Sequence, residues 1–265
     1  MCTIKTYRHE ELYLILTETW KMFLEASKKY DFNKISKNSN IENTVQVLIM
    51  LSIRLRELCE SILSCRESYG VIVLYRAFME YLLKHTYFFL YCIKKGDEAA
   101  KEYTSLTHFT YEELRKVQKA IWPNDLASFS TSNEFKQIKR DSDRTAAQFH
   151  FNKISEETLK LLTSKDNPEY DNEMIEKALR SMLVQYSISS SYVHAGPTAV
   201  LNPKTILRTN IDMDAKLFTI IAVNHIILLL SLYPSEYQTE LKSLTKEIRK
   251  NVKKGLAICD KNQVP

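Results

Sequence analysis

The chain has 265 residues, of which 45% are hydrophobic and 26% charged, a composition typical of globular proteins and not of disordered or fibrous ones. Its four glycines (Gly70, Gly96, Gly196 and Gly255) lie far apart, which excludes a glycine-rich phosphate loop and with it P-loop and Rossmann nucleotide binding. The five cysteines lack C-x-x-C spacing, and charged residues near the N-terminus are not followed by an apolar run, so we predict free thiols, no secretory signal and a cytoplasmic location.

Helical periodicity extends along most of the chain, and no segment shows the alternating pattern of a strand. We predict helices over residues 9–30, 41–65, 69–95, 97–121, 155–163, 172–194, about 212–233 and 235–255. Residues 31–43 are predicted as a loop, and residues 125–153 as a loop with short helical pieces. The expected fold is an all-α, single-domain bundle over residues 1–265, with about seven to nine helices. Its core is expected at about 41–235, followed by a basic amphipathic helix at about 235–257.

The predicted helix Tyr69–Lys95 is apolar on nearly every side, so we expect other helices to surround it. Arg76, Glu80 and Lys84 lie four residues apart and therefore share one face. A buried Arg or Glu is costly without a partner. Removal of Glu80 is accordingly expected to leave Arg76 unpaired and to cost several kcal/mol.

A second polar segment, Tyr186 to Pro197, contains four serines, Tyr192 and His194 in an otherwise apolar helix. Tyr and His side chains both donate and accept hydrogen bonds, and His titrates near neutral pH. We predict that this segment contacts the Arg76/Glu80 face. Two interpretations stay open: a catalytic cluster, or a structural network in which Arg76 bonds to Glu80 and to helix-end carbonyls while His194 caps its own helix.

The longest apolar run, Leu217 to Tyr233, has 17 residues and contains Asn224 and His225. A helix needs about 20 apolar residues to cross a bilayer. We therefore predict a core helix, capped by Asp212 or Asp214, and no membrane partner.

The last predicted helix separates apolar and basic residues onto different faces. The basic face consists of Lys242, Lys246, Arg249, Lys250 and Lys253. The formal net charge of the whole chain is +5, and residues 242–261 carry an excess of the same size. Such a face favours contact with nucleic acid or with the surface of an anionic membrane, or else is simply a solvated helix surface.

The six histidines give no metal-binding pattern. None is preceded three residues earlier by Glu, as in helical di-iron proteins, and no H-E-x-x-H occurs. We therefore predict no metal and no cofactor.

Two sequence features together resemble a widespread bacterial family of all-helical domains with no established reaction. They are Arg76-x-x-x-Glu80 in the setting LYRAFMEYL, and Y-x-x-x-S-x-Y-V-H from Tyr186 to His194, followed by an apolar helix. The resemblance covers roughly residues 45–235 and implies a helical fold.

A more distant resemblance is to HEPN-type helical domains, many of which are metal-independent ribonucleases of toxin and anti-phage systems. Their Arg, four to six residues before a His, holds the phosphate, and the His acts as acid or base. This chain has no Arg at that spacing before His194, so Arg76 would supply the guanidinium from the neighbouring helix. Glu80 would orient Arg76, and Tyr192 would complete the catalytic set. Arg144 and His150 fit the spacing formally and form a reserve pair.

The resemblance implies an RNA-cleaving effector that acts as a homodimer. The alternatives are a non-catalytic helical module that oligomerises or binds a partner protein, and a binder of a small anionic ligand between the helices.

Overall fold

The computed structural model describes residues 3–106, 140, 144, 146–163, 172–194 and 208–260, and every regular element in these ranges is a helix. The predicted all-α fold is thereby confirmed. In chain order the helices are α1 (Thr3–Tyr30), α2 (Phe32–Lys37), α3 (Glu42–Ser64), α4 (Ser68–Lys95), α5 (Phe151–Thr163), α6 (Asn172–Val193), α7 (Arg208–Leu232) and α8 (Gln238–Asp260). Residues 98–106 are also helical. The predicted helix end near residue 121 and most of the predicted loop at 125–153 lie outside the described residues.

Helix α4 lies at the centre of the bundle and packs against α3, α5, α6 and α7. Its side chains Phe78, Leu83, Phe88 and Phe89 are almost fully buried, as expected for a helix that is apolar on most sides. The helix ends at Gly96, whose φ of 84° lies in the region that favours glycine. This arrangement agrees with the prediction that other helices surround α4.

Helix α7 is the second hub, with contacts to α1, α3, α4 and α8. Residues Asp214–Leu232 are long and apolar enough to span a membrane, but 78% of this stretch is buried within the bundle. A core helix is the simpler explanation, because burial against four other helices already covers its apolar surface. The cytoplasmic location stays a prediction.

The prediction that Asp212 or Asp214 caps α7 is wrong. The helix begins at Arg208, so both aspartates lie within its first turns. Asp214 instead accepts a hydrogen bond from the hydroxyl of Tyr75 at 2.8 Å. The apolar run alone placed the helix start too late, because a polar first turn carries no hydrophobic periodicity.

The first turn of α3 is capped by Asp97, which lies two residues beyond the C-terminal end of α4. The two carboxylate oxygens of Asp97 accept hydrogen bonds from the backbone N–H groups of Asn43 and Thr44, at 3.1 and 2.6 Å. The side chains of Asn43 and Thr44 donate to the same carboxylate. A carboxylate at a helix N-terminus satisfies otherwise unpaired N–H groups and complements the helix dipole.

Helices α5 and α6 cover the side of α4 that carries Arg76. Near its C-terminus, α4 is joined to α5 by a hydrogen bond from the Lys94 ammonium to the carbonyl of Leu161. At the N-terminal end of α5, Phe149 is buried among the rings of Tyr87, Phe88 and Tyr103. These contacts fix the position of α5, on which one wall of the candidate site depends.

Candidate functional site

Arg76 of α4 is bound by two hydroxyl groups of α6. Its Nε donates to Ser190 Oγ at 2.9 Å, and its Nη2 donates to Tyr186 Oη at 3.0 Å. The guanidinium carbon also lies 5.0 Å from the centre of the Tyr186 ring, within the range of a cation–π interaction. All three side chains are half-buried. The C-terminal third of α6 therefore lies against the N-terminal third of α4, which is the contact that the two polar segments predicted.

The ring of Tyr186 is held from a second side by α5. Phe151, the first residue of α5, stacks on it with ring centres 3.5 Å apart and planes 12° from parallel. Three helices thus contribute to one cluster, which we call the Arg76 cluster: Arg76, Tyr186, Ser190 and Phe151. Tyr186 and Ser190 belong to the Y-x-x-x-S-x-Y-V-H motif, but the sequence analysis does not predict them as site residues. Their four-residue spacing, which continues to His194, matches the spacing of Arg76, Glu80 and Lys84 and was the available signal.

Glu80 does not contact Arg76 at ion-pair distance, although the two residues lie one turn apart. Its carboxylate instead pairs with Lys84, at 3.1 Å from Nζ to Oε1. Both side chains of this pair are partly exposed, Lys84 by 20% and Glu80 by 34%. The guanidinium of Arg76 is therefore oriented by Tyr186 and Ser190, and the orienting role predicted for Glu80 has no counterpart in the observed contacts.

His194 follows Ser190 by one helical turn, and its backbone N–H donates to the Ser190 carbonyl at 3.0 Å. Residues four apart on a helix lie on the same face, with Cβ atoms about 5–6 Å apart. The side chain of His194 is exposed. An accessible imidazole therefore lies one turn beyond the serine that binds Arg76.

Tyr192 lies on a different face of α6. Two residues correspond to about 200° of helix rotation, which directs Tyr192 away from the face that carries Ser190, and its side chain is buried. The structure therefore does not bring Tyr192 to Arg76.

No hydrogen bond joins the side chains of the reserve pair, Arg144 and His150, in the part of the chain that the structure describes. Arg144 and His150 are both exposed. His150 immediately precedes Phe151, whose ring stacks on Tyr186, and thus lies near the edge of the Arg76 cluster.

The five predicted nucleic-acid-binding residues, together with Lys254, form an exposed row on α8. Its members are Lys242, Lys246, Arg249, Lys250, Lys253 and Lys254. The opposite side of the helix is anchored by Leu241 and Ile248, both fully buried. Helix α8 makes its main contacts with α1 and α7, whereas α6 contacts α4 and α5. In the order of packing, α4 and α7 thus separate α6 from α8, so the basic row is not a wall of the Arg76 cluster.

Two histidines are buried where α4 and α7 meet. The rings of His85 and His225 lie 5.7 Å apart, and Phe89 stacks on His225 at 4.0 Å. Burial lowers the pKa of His225 to about 3 and lowers the pKa of His85 well below its usual value, with a further contribution from the neighbouring His225. Both imidazoles are therefore neutral at physiological pH and belong to the core.

Within the described ranges, no group of three or more His, Cys, Asp or Glu residues is arranged to hold a metal ion. The buried thiol of Cys59 is likewise no candidate nucleophile, because desolvation raises its pKa to about 12 and keeps it protonated. The Arg76 cluster therefore offers a guanidinium and two hydroxyls, with the exposed imidazole of His194 one turn beyond Ser190.

Comparison with known proteins identifies no relative. No protein family matches the chain, and no curated protein or solved structure shows significant similarity to it.

Proposed function

We propose that this protein is an RNA-cleaving effector of the toxin or anti-phage type, in which Arg76 binds the scissile phosphate and His194 acts as general base. The observation that carries the proposal is the hydrogen bond between Arg76 and Ser190, four residues before His194. The proposal is supported by a half-buried guanidinium bound to Ser190 and by an exposed imidazole one turn further along α6. A guanidinium matches the geometry of a phosphate, and an imidazole can accept and donate a proton.

The proposed reaction is an internal transesterification. The imidazole of His194 accepts the proton of the ribose 2′-hydroxyl, and the 2′-oxygen attacks the adjacent phosphorus. The bond from phosphorus to the 5′-oxygen breaks, and the leaving oxygen takes a proton from water. The products are a 2′,3′-cyclic phosphate and a free 5′-hydroxyl. Arg76 stabilises the negative charge that builds up on the non-bridging oxygens.

The test uses purified wild type, His194→Ala and Ser187→Ala on total RNA. Ser187 is a matched control because it is exposed on the same helix and its hydroxyl bonds to the carbonyl of Leu183. Loss of an acid–base group is expected to reduce the rate about 10²–10⁴-fold. We expect that loss for His194→Ala only. Equal cleavage by all three proteins, or none by wild type, would contradict the proposal.

The basic row of α8 is proposed to bind the RNA backbone away from the cleavage site. The logarithm of the binding constant falls with the logarithm of salt concentration, and each phosphate contact that is lost makes this slope shallower by about 0.7 for single strands. Replacement of Lys246 and Lys250 by Gln should therefore reduce the slope for an uncleavable RNA by roughly 1.4. An unchanged slope would show that α8 does not bind RNA.

A second candidate function is a non-catalytic module that forms oligomers or binds a partner protein. It is favoured by the exposed apolar side chains of Met50 and Ile53, 68% and 42% exposed and three residues apart on α3. Isolated exposed apolar residues are common, but neighbours on one helix face are typical of interfaces. This function would be favoured if wild type did not cleave RNA and if Met50→Lys lowered the mass of the assembly measured in solution.

A further inference from the structure

The Arg76 cluster contains hydrogen-bond donors in excess of acceptors. Both hydroxyls accept from the guanidinium, Ser190 from Nε and Tyr186 from Nη2. Each hydroxyl retains its own O–H group, and neither O–H finds an acceptor among the described residues. Arg76 likewise has no carboxylate within ion-pair distance in the described ranges. A cation and two hydroxyl donors thus meet at one half-buried position without an anion.

The edge of the guanidinium that remains available is defined by these contacts. Arg carries five N–H donors in a planar fork, and the edge formed by Nε and Nη2 is occupied by Ser190 and Tyr186. Nη1 and the second N–H of Nη2 make up the other edge, which no side chain in the described part of the chain occupies, so it can bind a ligand. Because the guanidinium is already held by two bonds, little side-chain entropy is lost when that edge binds an oxyanion.

The local charges keep the nearest carboxylate on this face away from Arg76. Glu80 lies one turn along α4, but the ammonium of Lys84 occupies its Oε1 at 3.1 Å. In a purely structural role, a half-buried Arg gains most from a direct carboxylate partner. Among the described residues, the partners of Arg76 are instead the neutral hydroxyls of Tyr186 and Ser190, and no carboxylate compensates its charge.

We infer that the Arg76 cluster is a phosphate site in which the hydroxyls of Tyr186 and Ser190 donate directly to the ligand. A tetrahedral phosphate offers several acceptor oxygens, which match donors that converge from α4 and α6. The stack of Phe151 on Tyr186 holds the phenol in place for this contact. The inference deepens the proposed function by assigning two further phosphate-binding residues, but phosphate binding does not require cleavage to occur.

The experiment measures binding of inorganic phosphate by calorimetry, at constant ionic strength set with chloride. Tyr186→Phe removes one O–H and keeps the ring that stacks on Phe151. Ser190→Ala removes the other, and Ser187→Ala serves as the matched control because its hydroxyl bonds within α6. We expect roughly 10- to 150-fold weaker binding for each of the first two variants, the size of one hydrogen bond to a charged group. Arg76→Lys should weaken binding further, because an ammonium cannot use two hydroxyl partners and a bidentate edge together.

His194→Ala separates this inference from the proposed reaction. Its phosphate affinity should equal that of wild type, whatever its activity on RNA. Phosphate binding that depends on Tyr186 and Ser190, without RNA cleavage, would support the phosphate site and reject the ribonuclease. Absence of phosphate binding by folded wild type would overturn the inference, as would equal affinities for Tyr186→Phe, Ser190→Ala and Ser187→Ala. If Arg76→Lys fails to fold, the two hydroxyl variants decide the result.

Discussion

The hydroxyl of Tyr75 on α4 donates a 2.8 Å hydrogen bond to the carboxylate of Asp214 on α7, so the two hub helices are joined by a partly buried polar contact. Burial raises the pKa of Asp214 to about 6, and the hydrogen bond from Tyr75 opposes part of that rise. Desolvation and the nearby carboxylate also raise the pKa of Tyr75, which therefore stays protonated and remains the donor.

The contact makes stability depend on pH in an unusual direction for an aspartate. Because the pKa of Asp214 is about 6 in the folded state, against an ordinary value of 3.8, the folded state holds the proton more tightly. Stability from this group is thus fully present below pH 4 and is lost as pH rises through 6, by about 3 kcal/mol in all. Asp214→Asn removes this loss. We expect the variant to unfold at higher denaturant concentration than wild type at pH 7, and measurements from pH 4 to 7 test it.

Tyr75→Phe is the control for that variant. It leaves the carboxylate of Asp214 buried without its donor, which should raise the pKa of Asp214 further and destabilise the protein at pH 7. Equal stability of Asp214→Asn and wild type at pH 7 would show that the carboxylate is better solvated than its burial indicates.

The buried histidines act in the opposite direction. His225 has a pKa of about 3 in the folded state, against an ordinary value of 6.5, and the pKa of His85 is also well below its usual value. Their stability contribution is full above pH 6.5 and is lost as pH falls, because only the unfolded chain binds the protons. Between pH 7 and 5, proton binding at His225 in the unfolded chain should cost about 2 kcal/mol of stability, and His85 acts in the same direction. His225→Phe, which can retain the stack on Phe89, should lose about 2 kcal/mol less than wild type over this interval.

Between pH 4 and 6 the proton held by Asp214 in the folded state offsets one of the two histidine protons, so Asp214→Asn should make the acid loss steeper. Parallel stability curves for His225→Phe and wild type would indicate that His225 is hydrated in solution.

The Asp97 cap should be among the more costly polar contacts to remove. Asp97→Ala deletes four hydrogen bonds to the first turn of α3, two of them from backbone N–H groups. Loss of a cap typically costs about 0.5–2 kcal/mol, and we expect the upper end because side-chain partners are lost as well. Asp97→Asn should recover part of the difference by accepting through one oxygen. Chemical denaturation of the three proteins tests this order, and a cost near zero for Asp97→Ala would mean that water replaces the carboxylate.

Glu80→Gln should now have a small effect. The sequence alone suggested several kcal/mol, on the assumption that Glu80 neutralises Arg76. Since Glu80 instead forms a partly exposed pair with Lys84, we expect a cost below about 1 kcal/mol. Ser190→Ala, which removes a direct partner of Arg76, should cost more. A loss above about 3 kcal/mol for Glu80→Gln would revive a direct role for this residue toward Arg76.

The bounds of individual helices could be predicted from the sequence better than the side-chain contacts between helices. The predicted helix 69–95 matches α4 to within one residue at its start and ends at the same residue. Its apolar pattern and the glycine at its end are local signals, which the sequence shows directly. The short helix α2 was missed within a predicted loop. Its buried residues Phe32 and Ile35 are separated by polar ones, too few for a periodic signal.

The same limit applies to the site. Spacing showed that Arg76, Glu80 and Lys84 share a face, but Glu80 lies four residues from both cations. Which of the two it pairs with depends on α6, which supplies hydroxyls to Arg76 and leaves Glu80 to Lys84. The two pairs that Glu80 could form on α4 have the same spacing, so the choice between them depends on contacts with α6. The periodicity of the α4 sequence carries no information about those contacts.

The bond from Asp97 to the first turn of α3 has a consequence for how the chain acquires its shape. Helices α3 and α4 are joined by a short turn at residues 65–67, and Asp97 fastens the other end of the pair. The two helices therefore form a hairpin of neighbouring sequence that is fastened at both ends. Such a unit is suited to assemble early and to open late, with the remaining helices docking onto a prepared surface.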